Sequence, residues 1–536
     1  MRVDHSNAVL VTIGAWLAVG AAVLAATSTP VPSDDAVQSA EPAPARMAGR
    51  VDALLAELWQ AENVEPAPAA GDHEFVRRAY LDLVGVIPRA SQVRAYLADE
   101  RPDKRTRLVD ELLASPRHAT HMATTWRNRI LPLGVDPTHD REALGLQNWL
   151  RTRFAKNLRY DNIVGGLLLT TGGDELGPAL YYQANDLAPE KIASSAAELF
   201  LGVQLQCAMC HDHPTAAWSQ RDFWGLAAFF ARVQAPGSRG MQQYEYRLID
   251  ASRGEVRIPE SEEIVPPKYP GGESATEDAW QTRRVQLTIW MASRDNRFFA
   301  RAAVNWAWSH LFGQGLVFSL DDIDEEGEAT QAQILDELAN YFVDSGFDLQ
   351  ALWRVLANTR AYQRSSRHPQ LESVPPELFA RTLAKPLTPE QMYDSFLVLS
   401  PREPQPQGML GGMAVGLDAD PMRMEFVRRM RPPPGSATEF RAGTLQALML
   451  MNGPTMAGVT APDLSNLLGA LEAPFMDEPA QVDAMFLATL SRSPDAEEEQ
   501  ACVALLAASK SPQERSQALS DVLWALLNST EFDFNR

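Results

Sequence analysis

Apolar residues recur at three- and four-residue spacing along most of this chain, which is the signature of helices that bury one face. Val51, Leu54, Leu55 and Leu58 predict a helix over Met47–Glu62, and a second follows over Glu74–Val84, stopped by Gly85-Val86-Ile87-Pro88. Ser91 is placed to cap a short helix running to Leu97. Leu108, Val109, Leu112 and Leu113 make the stripe of Asp103–Ala114, which Ser115-Pro116 ends. His118–Leu131, Leu144–Leu158, a long helix over Pro189–Leu205 and the aromatic stretch Arg221–Val233 complete the first half. Asn162–Thr171 reads as a short apolar run. The second half predicts helices over Arg284–Ser293, Arg297–Phe312, Ala332–Val343, Leu349–Ala357 (capped by Asp348), Pro389–Leu399, Ala480–Leu490, Glu497–Ala508 and Ser516–Leu527. Between the halves, Tyr244–Asp250 and Glu255–Ile258 flank Arg253-Gly254 as a small β-hairpin, and Pro259–Glu277 has linker composition. The expected fold is mainly α: a helical domain over 47–235, a β-hairpin and linker over 236–277, and a second helical domain over 278–536.

Two segments stand outside this pattern. Ala8–Ala26 is an uncharged apolar run, long for a signal peptide and just long enough to span a bilayer. Residues 1–27 are therefore read as an export signal or an N-terminal membrane anchor. Residues 28–46, rich in Pro, Ala, Ser and acidic side chains, are read as a disordered tether. Both readings place the rest of the chain outside the cytoplasm, in the periplasm or at the cell surface. Formal net charge is −21, which argues against a nucleic-acid partner, whose binders present a positive face. A redox or protein partner is left open.

The chemistry gathers in one place. Of three cysteines in 536 residues, two fall in Cys207-Ala-Met-Cys210-His211-Asp212-His213-Pro214. Cys-x-x-Cys-His is the spacing of covalent c-type haem attachment: thiols three apart share one side of a helical turn, and the next residue can offer its imidazole to iron. Cys207, Cys210 and His211 are the haem candidates. A bare transition-metal site using His211 or His213, a structural Cys207–Cys210 disulfide with no cofactor, and a redox-active dithiol remain alternatives. Export suits both haem attachment, which takes place on the outer side of the bacterial membrane, and a disulfide. His118 and His121, at i and i+3, could face one ligand from one helix or form an ordinary helix surface; they are the first choice for a distal iron ligand. Asp322, Asp324, Glu326 and Gly327 echo a calcium loop, but its twelfth place is Gln333 rather than a bidentate Glu. Cys502 reads as a buried small apolar residue. No Gly-x-Ser-x-Gly elbow, Walker loop, His-Glu-x-x-His or dinucleotide fingerprint is present.

HEFVRRAYLDLVGVIP, LFLGVQLQCAMCHDHP, NRFFARAAVNWAWSHLFGQGLV, FDLQALWRVLANTRAYQRSS and LWALLNSTEFDFNR together resemble a two-module planctomycete family. In it, a secreted cytochrome-like domain is followed by a partner domain of unknown function. The resemblance is collinear from about residue 47 to 536. It implies a secreted protein whose cytochrome-like label rests on the Cys-x-x-Cys-His pattern. Where the family usually continues His-Pro-Phe-Asp, this chain has Thr215 and Ala216, so a family Asp that could serve a metal is missing. The functions that follow are haem-dependent electron transfer or a haem-bearing auxiliary role. The alternatives are a structural or interaction protein with a local disulfide, and a metal-dependent hydrolase of extracellular polymers. Whether the protein is an enzyme is left open.

Overall fold

The computed structural model describes residues 43–131, 139–172, 177–214, 216–236, 247–259, 261, 263–276, 281–294, 296–320, 323, 329–368, 374–400, 420–431 and 443–536. The expected export segment and calcium-loop carboxylates lie outside them, as does the expected tether up to residue 42; its last four residues, 43–46, are helical instead and open the first helix. The protein is mainly α, with three two-stranded sheets among the described residues.

The helices follow the hydrophobic spacing closely. They are α1 (Ala43–Ala61), α2 (Asp72–Val84), α3 (Ala90–Leu97), α4 (Lys104–Ala114), α5 (Pro116–Ile130), α6 (Asp140–Ala155), α7 (Tyr160–Leu168), α8 (Leu180–Ala184), α9 (Pro189–Ala196) and α10 (Gln220–Ala227). After the short strands come α11 (Arg283–Met291), α12 (Arg297–Phe312), α13 (Ala329–Asp344) and α14 (Leu349–Asn358). Then follow α15 (Pro389–Leu399), α16 (Pro421–Met430), α17 (Thr444–Asn452), α18 (Pro454–Thr460), α19 (Asn466–Leu471), α20 (Glu478–Leu490), α21 (Ala496–Ala507), α22 (Pro512–Leu527) and α23 (Thr530–Asp533). Asp348 caps α14 as expected, accepting the Ala351 amide at 3.0 Å. The run at 162–171 is largely helical.

The long helix expected over Pro189–Leu205 stops early. It widens to a π turn at Ala197–Leu201 and breaks at Gly202, whose φ of 63° is left-handed. A Cβ on Gly202 would lie 3.0 Å from Ile323 and 3.2 Å from Ala302, so close packing and backbone conformation both call for glycine.

The strands pair differently from the expected hairpin. β1 (Val233–Gln234) pairs with β2 (Ile249–Asp250), and β3 (Val256–Arg257) with β4 (Ile264–Val265), both antiparallel. The residues on either side of Arg253-Gly254 therefore do not fold onto each other. Gly254 is instead pressed against Ala231, whose carbonyl oxygen would be 2.3 Å from an added Cβ. The third pair joins β5 (Lys385–Pro386) to β6 (Phe534–Asn535).

Linker composition also gives way to packing. Lys268 donates its amide to the Gly225 carbonyl at 3.0 Å and its Nζ to Asp222 at 2.6 Å. The Tyr269 ring lies 5.0 Å from Phe229 and 5.2 Å from Trp290. One apolar core runs without a break from Ala48 to Ala380, taking in residues on both sides of this segment. A second is built from Leu387 to Phe532 with Leu81 and Ile87 of the first half. Most of the division between the cores thus falls between 380 and 387, with Leu81, Ile87 and Leu487 crossing it.

Helix α2 is the element they share. It is buried continuously from Phe75 to Val84, including Arg77, Arg78 and Asp82. Arg77 donates to the carbonyls of Thr489 (2.7 Å) and Phe532 (2.8 Å); Arg78 donates to those of Tyr362 (2.6 Å) and Arg364 (2.8 Å) and to Glu74 (2.6 Å). Such partners make charge tolerable inside a core.

Candidate functional site

The Cys-x-x-Cys-His turn follows the break at Gly202. Val203 and Leu205 are buried and pin the approach, while Gln206–Met209 forms one 3-10 turn. In that geometry residues i and i+3 eclipse each other, so Cys207 and Cys210 share one side. Ala208 points the other way and is fully buried. Both thiols are free and exposed.

Helix α10 holds this turn from below. The Met209 carbonyl accepts Trp224 Nε1 at 3.1 Å and Gln220 Nε2 at 3.2 Å. Asp212 Oδ1 accepts the Gln220 amide at 2.8 Å, placing a carboxylate at the positive end of α10. Ser219 caps the helix in a reciprocal box with Asp222. Burial alone would raise the Asp222 pKa, but hydrogen bonds from Lys268 and Ser219 outweigh it and hold the carboxyl below its ordinary range.

The two histidines of the motif differ in which nitrogen they have spent. His211 is exposed and its Nδ1 lies 2.7 Å from the Asp212 carbonyl oxygen. A carbonyl can only accept, so Nδ1 carries the proton and Nε2 keeps its lone pair. His213 Nδ1 accepts the Ala216 amide at 2.9 Å, and its own amide donates to the Trp218 carbonyl at 2.8 Å. Neutral His213 therefore carries its proton on Nε2. The hydrogen-bond network assigns the two rings opposite tautomers, and only His211 presents an unprotonated Nε2.

His118 and His121 are elsewhere. His118 Nδ1 is 2.7 Å from the Leu83 carbonyl oxygen, and the His121 ring is 5.6 Å from that of His310. Both imidazoles are engaged in the interior around α2. Among the described residues no three His, Cys, Asp or Glu side chains come together in a group able to hold a metal ion.

Sequence reasoning did not find the Gln220 and Trp224 contacts to Met209. Their signal is faint: Trp224 reads as core, and its indole N–H has no visible partner until α10 is folded back. Nor did it find the buried cluster around Asp82, described below.

The fold and turn define a mainly α chain presenting an exposed Cys-x-x-Cys-His turn. Residues 50–235, which contain that turn, match the family model PSCyt2, a protein of unknown function (DUF1549), and residues 283–414 match PSD1, a protein of unknown function (DUF1553). The two in tandem are consistent with the two-module family that the sequence resembles. No curated protein and no solved structure matches the chain.

Proposed function

We propose that the protein is exported and carries a c-type haem on Cys207 and Cys210 for electron transfer, with His211 Nε2 as its axial ligand. The observation that supports this reading is the split between the two histidines. Beside two exposed thiols on one turn, His211 keeps its Nε2 lone pair free, and its Nδ1–H is fixed by a backbone carbonyl, the usual way a ligating imidazole is oriented. The residues fit the group's attachment chemistry. Covalently bound haem would supply a reversible one-electron couple. The chain's part is to hold the turn: Ala208 anchors it, Gln220 and Trp224 fix Met209 between the cysteines, and Asp212 orients His211. His213 does not act as a ligand in this reading; it shapes the return of the loop toward Trp218. His118 and His121 do not serve as the distal ligand. A haem-bearing auxiliary role would use the same site.

The test is a pyridine haemochrome assay on protein from a host competent in haem attachment. Cys207→Ser/Cys210→Ser should lose all covalent haem. His211→Ala should keep the haem but change its spin state, while His213→Ala should leave axial ligation intact. A wild-type protein with no Soret band overturns the proposal.

The second reading is a local Cys207–Cys210 disulfide in a structural or interaction protein, supported by two exposed thiols on one turn and favoured by the oxidising surroundings that export would bring. Thiol titration of the purified protein would find both cysteines blocked and no visible absorbance.

A further inference from the structure

Leu81, Asp82 and Leu83 are consecutive on α2 and meet three different surroundings. Leu81 belongs to the second core and Leu83 to the first. Asp82, between them, is 2% exposed with its carboxylate fully engaged. Its Oδ1 accepts Lys385 Nζ at 2.6 Å and Asn535 Nδ2 at 2.7 Å, and its Oδ2 accepts the Tyr362 hydroxyl at 2.9 Å. Lys385 gives its other two protons to the His310 and Leu311 carbonyls, each at 2.7 Å. These lie in the last turn of α12, where the helix dipole favours a cation. One ion pair thus ties together α2, α12, β5 and β6.

Three histidines pack against it. His310 Nε2 is 3.1 Å from the Asp82 carbonyl oxygen, and His118 Nδ1 is bonded to the Leu83 carbonyl. The His121 ring fills the space beside Gly85, where a Cβ would come within 2.4 Å of its Nδ1. His121 Nε2 is buried without a hydrogen-bond partner. The charges facing these rings come from few elements. Helix α2 brings Asp82 and Arg78, the latter paired with Glu74. β5 brings Lys385; among the described residues α5 and α12 bring the histidines, with Arg129 of α5 one ring away over Trp306, and Tyr362 and Asn535 are neutral. Among the described residues the carboxylate facing the cluster is Asp82, and its attraction for an imidazolium is offset by Lys385, which is paired with it.

The geometry points to an acid-released latch: protonation of His121 and His310 opens the Lys385–Asp82–Asn535 junction, freeing β5 and β6 locally while both cores stay folded. Burial is the first cause holding all three histidines below their ordinary pKa, His118 at about 4, with repulsion from the neighbouring histidines and Lys385 adding to it. A folded-state pKa below the unfolded value means stability that is complete above 6.5 and lost as pH falls toward the folded value. Two carboxyls work the other way. Burial raises Asp533, which precedes β6, and the more distant Asp52 to about 6. Their folded forms take up protons first, which stabilises the folded chain as pH falls. The latch therefore has to be read by removing imidazoles, not from the pH profile alone.

Hydrogen exchange on the full chain at pH 7.5 and pH 5.0, corrected for intrinsic rates, tests this. The Leu387 amide, which donates to the Asp533 carbonyl at 2.8 Å, and the amides of residues 534–536 should lose protection more than tenfold at pH 5.0. Amides within α12 and α20 should not change. In His310→Gln, which can still donate to the Asp82 carbonyl but cannot charge, the opening should move to lower pH; His121→Gln should do the same. Should His121→Gln fail to fold, His310→Gln and the wild-type measurement still decide. Protection retained at 387 and 534–536 at pH 5.0 overturns the latch. So does simultaneous loss in both cores, or an opening pH unchanged in His310→Gln.

Discussion

The Cys207–His213 turn and the Asp82 cluster are the two chemically richest parts of the molecule, and they are built on opposite rules. The turn is exposed, and its reactive atoms are unspent: two thiols and one imidazole nitrogen. Around Asp82 the atoms are buried and nearly all are committed, down to the third proton of Lys385. The same residue type marks the contrast. His211 faces solvent with Nε2 free, while His118 is 4% exposed with its proton donated to a backbone carbonyl. Histidines at ligand-like spacing are thus no guide to function until one asks which nitrogens remain available.

If the contrast holds, the largest effect belongs to the buried member. Asp82→Ala leaves Lys385 without its counter-charge and should cost about 3–5 kcal/mol in urea unfolding. A loss under about 1 kcal/mol would mean the cluster is as dispensable as a surface ion pair. Next comes the support behind the turn. Gly225 faces Lys268, whose Cβ would lie 2.6 Å from a new methyl group. Gly225→Ala should cost about 1–3 kcal/mol by overpacking, measured by thermal melting. Trp224→Phe removes one of two donors to Met209 and should cost about 1 kcal/mol. It should also raise the rate at which a thiol reagent modifies Cys207 and Cys210; an unchanged rate would show that α10 does not hold the turn. The smallest stability effect is expected from the motif itself. Without haem, Cys207→Ser/Cys210→Ser should melt within about 0.5 kcal/mol of the parent, as surface changes do. A larger loss would make the cysteines structural.

The helices were legible because each amphipathic segment has a polar stripe to set against its apolar one. The turn was legible from residue spacing alone. What the sequence concealed has physical reasons. Helix α2 is buried on every side, so Arg77, Arg78 and Asp82 interrupt an apolar run without forming a face, and nothing local shows that their partners lie near residues 362, 385, 489 and 532. Strands of two residues are too short to carry an alternation, so the pairing of Val233–Gln234 with Ile249–Asp250 left no trace. Pro259–Glu277 has linker composition, yet Lys268 and Tyr269 tie it down through contacts with Gly225, Asp222, Phe229 and Trp290 that composition cannot register.

The bond between Asn535 and Asp82 closes over 453 residues. On a ribosome adding residues one at a time, α2 emerges long before the strand that completes its environment. Asp82 has no Lys385 until synthesis passes residue 385 and no Asn535 until it passes 535, and Leu81 waits for the helices of its second core. The nascent chain must therefore carry a helix with unmatched charge until residue 385 and an incomplete environment until residue 535, a condition in which a chaperone would find its most persistent target.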